Sequence, residues 1–324
     1  MLSLALYILA VLVGLILIWF FDPHEKEKND TDFVEGRANR KARHDYRQSS
    51  IFAVLGLSRE EILHFTAFRD HFHSFEEVIG ACKRAGLEKS HLIIGVDFTA
   101  SNEWQGRKTF SGNSLHKISG SRISNPYQKV ISILGQTISA FDDDSLIPAY
   151  GFGDVMTQDQ DVFPFKPDSS SCQDFHEVLE YYNDIARTVT LGGPTNFAPL
   201  IYRAMDIVRD TEEYHILVII ADGQVTEEDH TIQAIVKASL CALSIIVVGV
   251  GDGPWEIMEE FDDRLPRRKF DNFQFIDYHK ITHKAKNPET ALALHAMMEI
   301  PDQYKAIKQL GYLQNLRENT DLVH

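Results

Sequence analysis

Asp97, Phe98, Thr99, Ala100 and Ser101 follow directly on the apolar run His91-Leu-Ile-Ile-Gly-Val96, so a carboxylate and two hydroxyls stand at alternate positions. In an extended turn, residues two apart point to one side, and three oxygen donors converge. Oxygens of this kind suit a small divalent cation, above all Mg2+, which takes six hard donors in octahedral array and retains several waters. One carboxylate and two neutral hydroxyls leave such an ion underneutralised and open to an anionic ligand from outside. The Asp or Glu of a protein partner would serve. Two other segments offer suitable oxygens: Thr195, on the Gly- and Pro-shaped turn Leu191-Gly-Gly-Pro-Thr-Asn-Phe-Ala-Pro199, and Asp222, which with Gly223 ends the run Tyr214-His-Ile-Leu-Val-Ile-Ile-Ala221. Singly, each has a plainer reading. Asp-x-Thr-x-Ser is commonly a strand end with local hydroxyl–backbone bonds, Thr195 a helix cap and Asp222 a turn former. Their joint occurrence is poorly served by three independent plain readings.

The elements that must position these residues alternate between two periods. Continuous apolar runs at His91–Asp97, Leu146–Phe152, Tyr214–Asp222, Leu243–Gly251 and Phe273–Asp277 read as buried strands. Helical spacing falls between them: 75–84, 127–141 with Val130, Ile131, Leu134 and Ile138 on one face, 175–189 with Leu179, Tyr182 and Ala186, then 197–209, 227–240 and 255–261. A closing helix over 288–310 is interrupted at Pro301, and Ser58 with Glu61 forms a capping-box signature for an earlier one. Apolar strands joined by amphipathic helices predict an α/β fold: a doubly wound, mostly parallel sheet with helices on both faces. Ligands in such sheets sit beyond the carboxyl ends of the strands, and two strands here finish in Asp97 and Asp222.

The wording around these residues is more specific than their spacing. Asp97-x-Thr99-x-Ser101, Thr195 and Asp222 resemble the metal-ion-dependent adhesion site of von Willebrand factor A domains. The segments Gly95-Val-Asp-Phe-Thr-Ala-Ser-Asn102, Tyr150-Gly-Phe-Gly-Asp154, Gly193-Pro-Thr-Asn-Phe-Ala-Pro199 and Phe270-Asp-Asn-Phe-Gln-Phe275 resemble the copine branch of that family. Ser101-Asn-Glu-Trp104 and Met298-Glu-Ile-Pro-Asp-Gln-Tyr304 are similar to the plant copine-domain ubiquitin ligases of the RGLG type. The resemblance covers roughly residues 75–313. It implies that Asp97, Thr99, Ser101, Thr195 and Asp222 surround the cation, Asp222 directly or through water, and that the module binds proteins in signalling or trafficking. The implied ion is Mg2+ or Mn2+, with Ca2+ as a further candidate. Two departures stand out. Copines carry paired C2 domains ahead of the A domain, and the plant ligases end in a RING. Eleven residues follow Leu313, none of them cysteine, so a RING is not expected here.

The beginning of the chain differs from the rest. Residues 1–21, MLSLALYILAVLVGLILIWFF, carry no charged side chain and are long enough to span a bilayer. There is no basic n-region and no small-x-small cleavage site, which argues against a cleaved signal peptide. Lys26, Lys28, Arg37, Arg40 and Lys41 follow the span and nothing basic precedes it, so a single-pass anchor with the body facing the cytosol is expected. The domain plan is then a transmembrane signal-anchor over 1–21, a polar linker over 22–50, and the A domain with a C-terminal helical extension over 51–324. Lys plus Arg number 32 against 47 Asp plus Glu, a net charge of -15, which excludes the basic footprint of a nucleic-acid binder. Three scattered cysteines form neither a disulfide framework nor a zinc cluster.

The leading expectation is a membrane-tethered, cation-dependent protein-binding module. A subunit of a ubiquitin ligase that works with a separate RING protein is an alternative. A metal-dependent hydrolase is another, weakened by Thr99 where a second acid would stand and by the lack of an evident general base. No catalytic residues are therefore assigned. Trp104, Trp255 and the 270–275 phenylalanines read as packing, Asp142-Asp143-Asp144 as a solvated loop, and the histidines as lacking the spacing of a zinc site.

Overall fold

Strands β1 (His91–Asp97), β4 (His215–Ala221) and β5 (Leu243–Gly249) are buried at every position, as a parallel sheet covered on both faces requires. The computed structural model describes residues 50–51, 73–120, 125–223, 225–265 and 268–313. Along the chain, β2 (Ala149–Phe152) and β3 (Val162–Pro164) come between β1 and β4, and β6 (Phe273–Asp277) comes last. The order across the sheet is β3-β2-β1-β4-β5-β6. All neighbours are parallel except β3, which pairs antiparallel with β2 at the edge.

The helices are α1 (Phe75–Arg84), α2 (Pro126–Ser139), α3 (Phe175–Thr188), α4 (Ala198–Thr211), α5 (Glu228–Ala238), α6 (Glu256–Arg264), α7 (Tyr278–Thr282), α8 (Pro288–Met297) and α9 (Ile300–Leu310). One group joins α2 to α3 and to α8, with α1 on α8; another joins α4 to α5, with α4 reaching β4 and β5. The buried stripe of α2 includes Val130, Ile131, Leu134 and Ile138, the positions its spacing predicts. Each such side chain contributes roughly 1.5–3 kcal/mol when fully buried. In α3, Leu179 and Tyr182 are buried, with Val178 taking the place expected of Ala186. Starts are set by side chains that accept from the free N–H groups of the first turn: Ser74 for α1, Asp174 for α3 and Asn287 for α8. At α2, Asn125 and Gln128 cap each other reciprocally, with Pro126 inside the first turn.

The structure differs from the sequence reading at several places. The expected strand over 146–152 begins only at Ala149, because Pro148 lacks an N–H and uses its carbonyl instead to accept from Ile94 at 3.0 Å. The interruption expected at Pro301 within 288–310 is present but falls earlier, at Met298–Glu299, with Pro301 in the first turn of α9. Strand β3 and helix α7 were not expected: three residues of edge strand and five of helix carry too little pattern. Trp104 is not packed but 48% exposed. Asp142 is not solvated either: its carboxylate lies 2.9 Å from His91 Nδ1, and both side chains are buried.

Residues 1–21, the linker up to residue 49 and the Ser58/Glu61 capping box lie outside the described residues. Among the described residues no helix is long and apolar enough to cross a membrane. Ser50 and Ile51 are fixed to the body: Ser50 donates its N–H to Asp302 at 2.9 Å, and Ile51 is fully buried.

Candidate metal centre

In the parallel register Val96 of β1 faces Ile220 of β4, so Asp97 and Asp222 leave the sheet at the same edge, one residue apart in level. Both are fully buried. The Asp97 and Asp222 carboxyls face one another, and Asp222 also faces the Ser101 hydroxyl. Thr99 Oγ1 and Ser101 Oγ lie 2.9 Å apart. The convergence expected of alternate residues therefore occurs, but the backbone does not reach it by the extended turn predicted. Thr99 is extended, and Ala100–Glu103 then form a 3-10 turn, in which Asn102 N–H returns to the Thr99 carbonyl and the following Trp104 N–H to that of Ser101.

A second loop completes the edge. Gly192 pairs with Thr99, donates to Phe98 O at 3.2 Å and accepts from Ala100 N–H at 2.8 Å, which ties the Thr195 turn to the Asp97 loop. Thr195 is buried, and its carbonyl receives both the N–H and the hydroxyl of Thr226, at 2.9 and 3.0 Å, from the loop after Asp222. Thr195 is thus strapped between the other two loops. Two glycines permit this closeness. A Cβ on Gly153, whose φ is +79°, would lie 2.5 Å from Thr99 Cγ2, and one on Gly251 would lie 2.0 Å from the Asp222 carbonyl oxygen.

Beneath Asp97 lies a polar network that spacing did not reveal. His116 Nε2 is 2.9 Å from the Asp97 carbonyl, and its Nδ1 is 2.9 Å from Tyr182 Oη. The ring is stacked on Tyr127 and Phe98, at 4.2 and 4.7 Å between centroids. Asn102 donates to the carbonyls of Asp97 and Thr99 and accepts from Tyr127 Oη at 2.7 Å. These residues hold the backbone from which the oxygen donors project. Asn102 stands inside the motif itself, whereas a lone histidine 19 residues beyond Asp97 carries no local signal. Asp252 ties in the next loop by accepting from the Lys108 and Thr109 N–H groups at 2.8 and 2.9 Å.

The electrostatics of the site suit a cation. Burial pushes the Asp97 carboxyl up to about 6, against the pull of its bonds from Thr99. Burial, and then the Asp97 charge, push Asp222 well above the usual carboxylate range. Asp97 Oδ1 accepts from Thr99 N–H at 2.8 Å, but Asp97 Oδ2 and both Asp222 oxygens have no hydrogen bond of good geometry among the described residues. Three buried acceptors without donors are costly unless a cation or shared proton sits among them. Two carboxylates with neighbouring hydroxyls are a donor set that fits Mg2+ or Mn2+.

Two other features lie elsewhere. His91, Asp142 and Asp144 bring ligand-type atoms within 4.8 Å of one another, a grouping that the histidine spacing did not suggest. It stands at the amino end of β1, opposite Asp97. A groove of about 760 Å³ lined by Met205, Val208, Leu240 and Tyr312 lies where α4 and α5 end, also away from Asp97.

A parallel α/β sheet with paired acids, hydroxyls and glycine-shaped loops at its carboxyl edge defines the general class of protein. The copine family model matches residues 114–316, and this chain belongs to the copine family. It is 51% identical over 265 residues to the E3 ubiquitin-protein ligase RGLG1 of Arabidopsis thaliana, covering 77% of this chain and 54% of the ligase. Against RGLG3 of the same plant, identity is 51% over 258 residues, covering 75% of this chain and 70% of the ligase. Copine family protein 2 of Caenorhabditis elegans is 48% identical over 281 residues, 84% of this chain but 4% of that protein. The chain thus spans a small to middling part of most of these relatives. Among solved structures, manganese-loaded Plasmodium vivax TRAP aligns at 15% identity with a TM-score of 0.37, over 60% of this chain and 70% of that one. A likeness that distant adds no constraint.

Proposed function

We propose that this chain is a divalent-cation-dependent protein-binding module of signalling or trafficking type, tethered to a membrane. The observation that carries the proposal is the set of three buried carboxylate oxygens, on Asp97 and Asp222, that make no hydrogen bond of good geometry among the described residues and stand beside a pair of hydroxyls. In this reading Asp97, Thr99, Ser101, Thr195 and Asp222 hold Mg2+ or Mn2+, with Ca2+ as the softer-geometry candidate. When bound, the ion supplies a coordination position for a carboxylate offered by a protein partner. The chain's own residues do the rest. Asn102 and His116 fix the Asp97 loop, Gly153 and Gly251 let the loops close, and the buried surroundings keep water from screening the charge. Residues 1–21 form the tether, with the described domain on the cytosolic side; the uncharged run and the lysines and arginines that follow it support this.

Calorimetric titration of Mg2+ and Mn2+ into the full chain and its Asp97→Ala form tests the centre. Binding in the parent and none in the variant is the expected result. A folded parent that binds neither ion, even with millimolar acetate present as a surrogate carboxylate, would refute the cation-bridge reading. For the tether, the chain should resist alkaline carbonate extraction, and protease should reach the domain from the cytosolic side only.

A second reading has its own support in the Arabidopsis relatives, ubiquitin ligases to which this chain is 51% identical over part of their length. There the chain serves as the substrate-holding subunit of a ligase whose RING lies on another polypeptide. Affinity-purified full chain that brings down ubiquitin transfer from E1, E2 and ATP supports this reading, provided the activity disappears with Asp97→Ala.

A further inference from the structure

Six large apolar side chains are exposed among the described residues, and three of them, Trp104, Val155 and Met156, stand on the loops that frame Asp97, Ser101 and Thr195. Scattered single apolar residues need no explanation; a group of three around one site does. Their positions are set tightly. The Trp104 N–H donates to the Ser101 carbonyl at 2.9 Å, so the indole stands one short turn from a proposed cation donor. The Val155 N–H donates to Thr190 at 3.1 Å, and the Asp154–Val155 peptide is packed against Gly192, on the turn that carries Thr195.

The loop bearing Val155 and Met156 is itself well tied. Asp154 Oδ1 accepts from Thr157 N–H at 2.9 Å, Asp154 O accepts from Gln158 at 2.8 Å, and Asn196 donates to Asp159 O at 3.0 Å. These bonds fix the backbone while Met156 remains 85% exposed, Trp104 48% and Val155 44%. Apolar side chains that face water from a fixed backbone beside a polar centre are a contact surface whose backbone is already ordered. Charge around the rim is mixed: Glu103, Arg107 and Lys108 are exposed on the segment that carries Trp104, and Asp161 is exposed beyond Met156. An acid on the partner is therefore drawn by the cation rather than by the side chains of the rim.

We infer that Trp104, Val155 and Met156 form an apolar rim to the cation face, and that the partner is a protein segment in which the cation-seeking Asp or Glu is flanked by a large apolar residue. The inference rests on the cation-bridge reading proposed above. Apolar and aromatic side chains that a partner covers add binding energy to the contact made through the cation. The cation then gives direction and the rim gives selectivity.

The test is selection of a phage-displayed random dodecapeptide library on the full chain in Mn2+, set beside selection on the double variant Trp104→Ser, Met156→Ser. Calorimetric Mn2+ titration and circular dichroism are run on both proteins. The expected result is enrichment of peptides with Leu, Ile, Phe, Met or Trp within two positions of an acid, released by EDTA. The best such peptide should bind the double variant about tenfold or more weakly. Met156→Leu, which keeps the apolar surface, should retain it. If peptides from the parent carry the acid without apolar bias while Mn2+ still binds, the rim is overturned and the cation reading stands. If Mn2+ does not bind the folded parent, both fall together. If brominated phosphatidylserine vesicles quench Trp104 emission (parent minus Trp104→Phe) and no apolar bias appears, the rim belongs to a lipid surface and the inference fails.

Discussion

Asp97 and Asp222 oppose one another in a buried site, and their protonation is linked to whatever charge sits between them. With no cation, Asp97 in the folded chain holds its proton up to about pH 6, against about 3.8 when unfolded. A raised carboxyl pKa means that the folded state binds more protons than the unfolded one between these values, so this contribution to stability is present at low pH and lost as pH rises through about 6. A divalent cation displaces the proton and removes that loss. Mg2+ should therefore raise the melting temperature more at pH 7.5 than at pH 5, and calorimetry in buffers of different ionisation enthalpy should detect proton release. Asp222→Asn separates the two effects. It removes the repulsion, so the cation-free chain should gain roughly 1–2 kcal/mol in denaturant melts while losing its response to Mg2+.

His116 belongs to the same scale. Burial lowers its pKa to about 3. Its neutral ring therefore supports stability above about pH 6.5, and that support is lost as pH falls toward 3. His116→Phe keeps the stacking and deletes both hydrogen bonds, leaving the Asp97 carbonyl with the 3.3 Å bond from Asn102. The expected cost is about 2–3 kcal/mol in chemical denaturation, with weaker cation binding as well.

Among the elements, the three loops at the carboxyl edge work as one body because glycines let them touch. Gly153→Ala would set a methyl 2.5 Å from Thr99 Cγ2 at a backbone angle that favours glycine. Nothing at the sheet core changes, so the fold should persist with about 1–3 kcal/mol less stability. Because Thr99 carries the strain, the Mg2+ response should fall by more than the stability loss alone explains; comparing titration and melting on one sample checks this. Much of the element plan was legible: β1, β4, β5 and β6 lie where continuous apolar runs stand, and α2 where its stripe predicts. The antiparallel edge strand β3 was not legible, because three half-buried residues show no period. The 3-10 turn at Ala100–Glu103 was missed for a related reason, since a single short turn leaves no repeat to read.

Across the whole molecule, the two ends of the sheet carry opposite electrostatic arrangements. At the amino end of β1, burial works against a charged His91, but Asp142 at 2.9 Å and the Glu213 charge outweigh it and raise its pKa. Burial likewise opposes ionised Asp142, yet its bond with His91 holds it below the usual range. The His91 contribution is present below pH 6.5 and lost as pH rises through its folded value; the Asp142 contribution is present above 3.8 and lost as pH falls. His91→Gln should flatten the stability profile on the alkaline side, read from melts at pH 6 and pH 8.5. It should leave Mg2+ binding alone, because the full length of β1 separates it from Asp97.

Sequence by itself determined the parallel α/β plan, the edge where acids and hydroxyls gather, and the family, since each is written as local pattern: apolar runs, helical stripes and a short donor motif. Tertiary structure alone decided which atoms meet. The Asp97–Asp222 opposition, the His116 support, the buried Asp142 and the exposed Trp104 depend on contacts between residues far apart in the chain. Residue type fixes what a side chain can do, but packing of the whole sheet fixes what it is left to do it with.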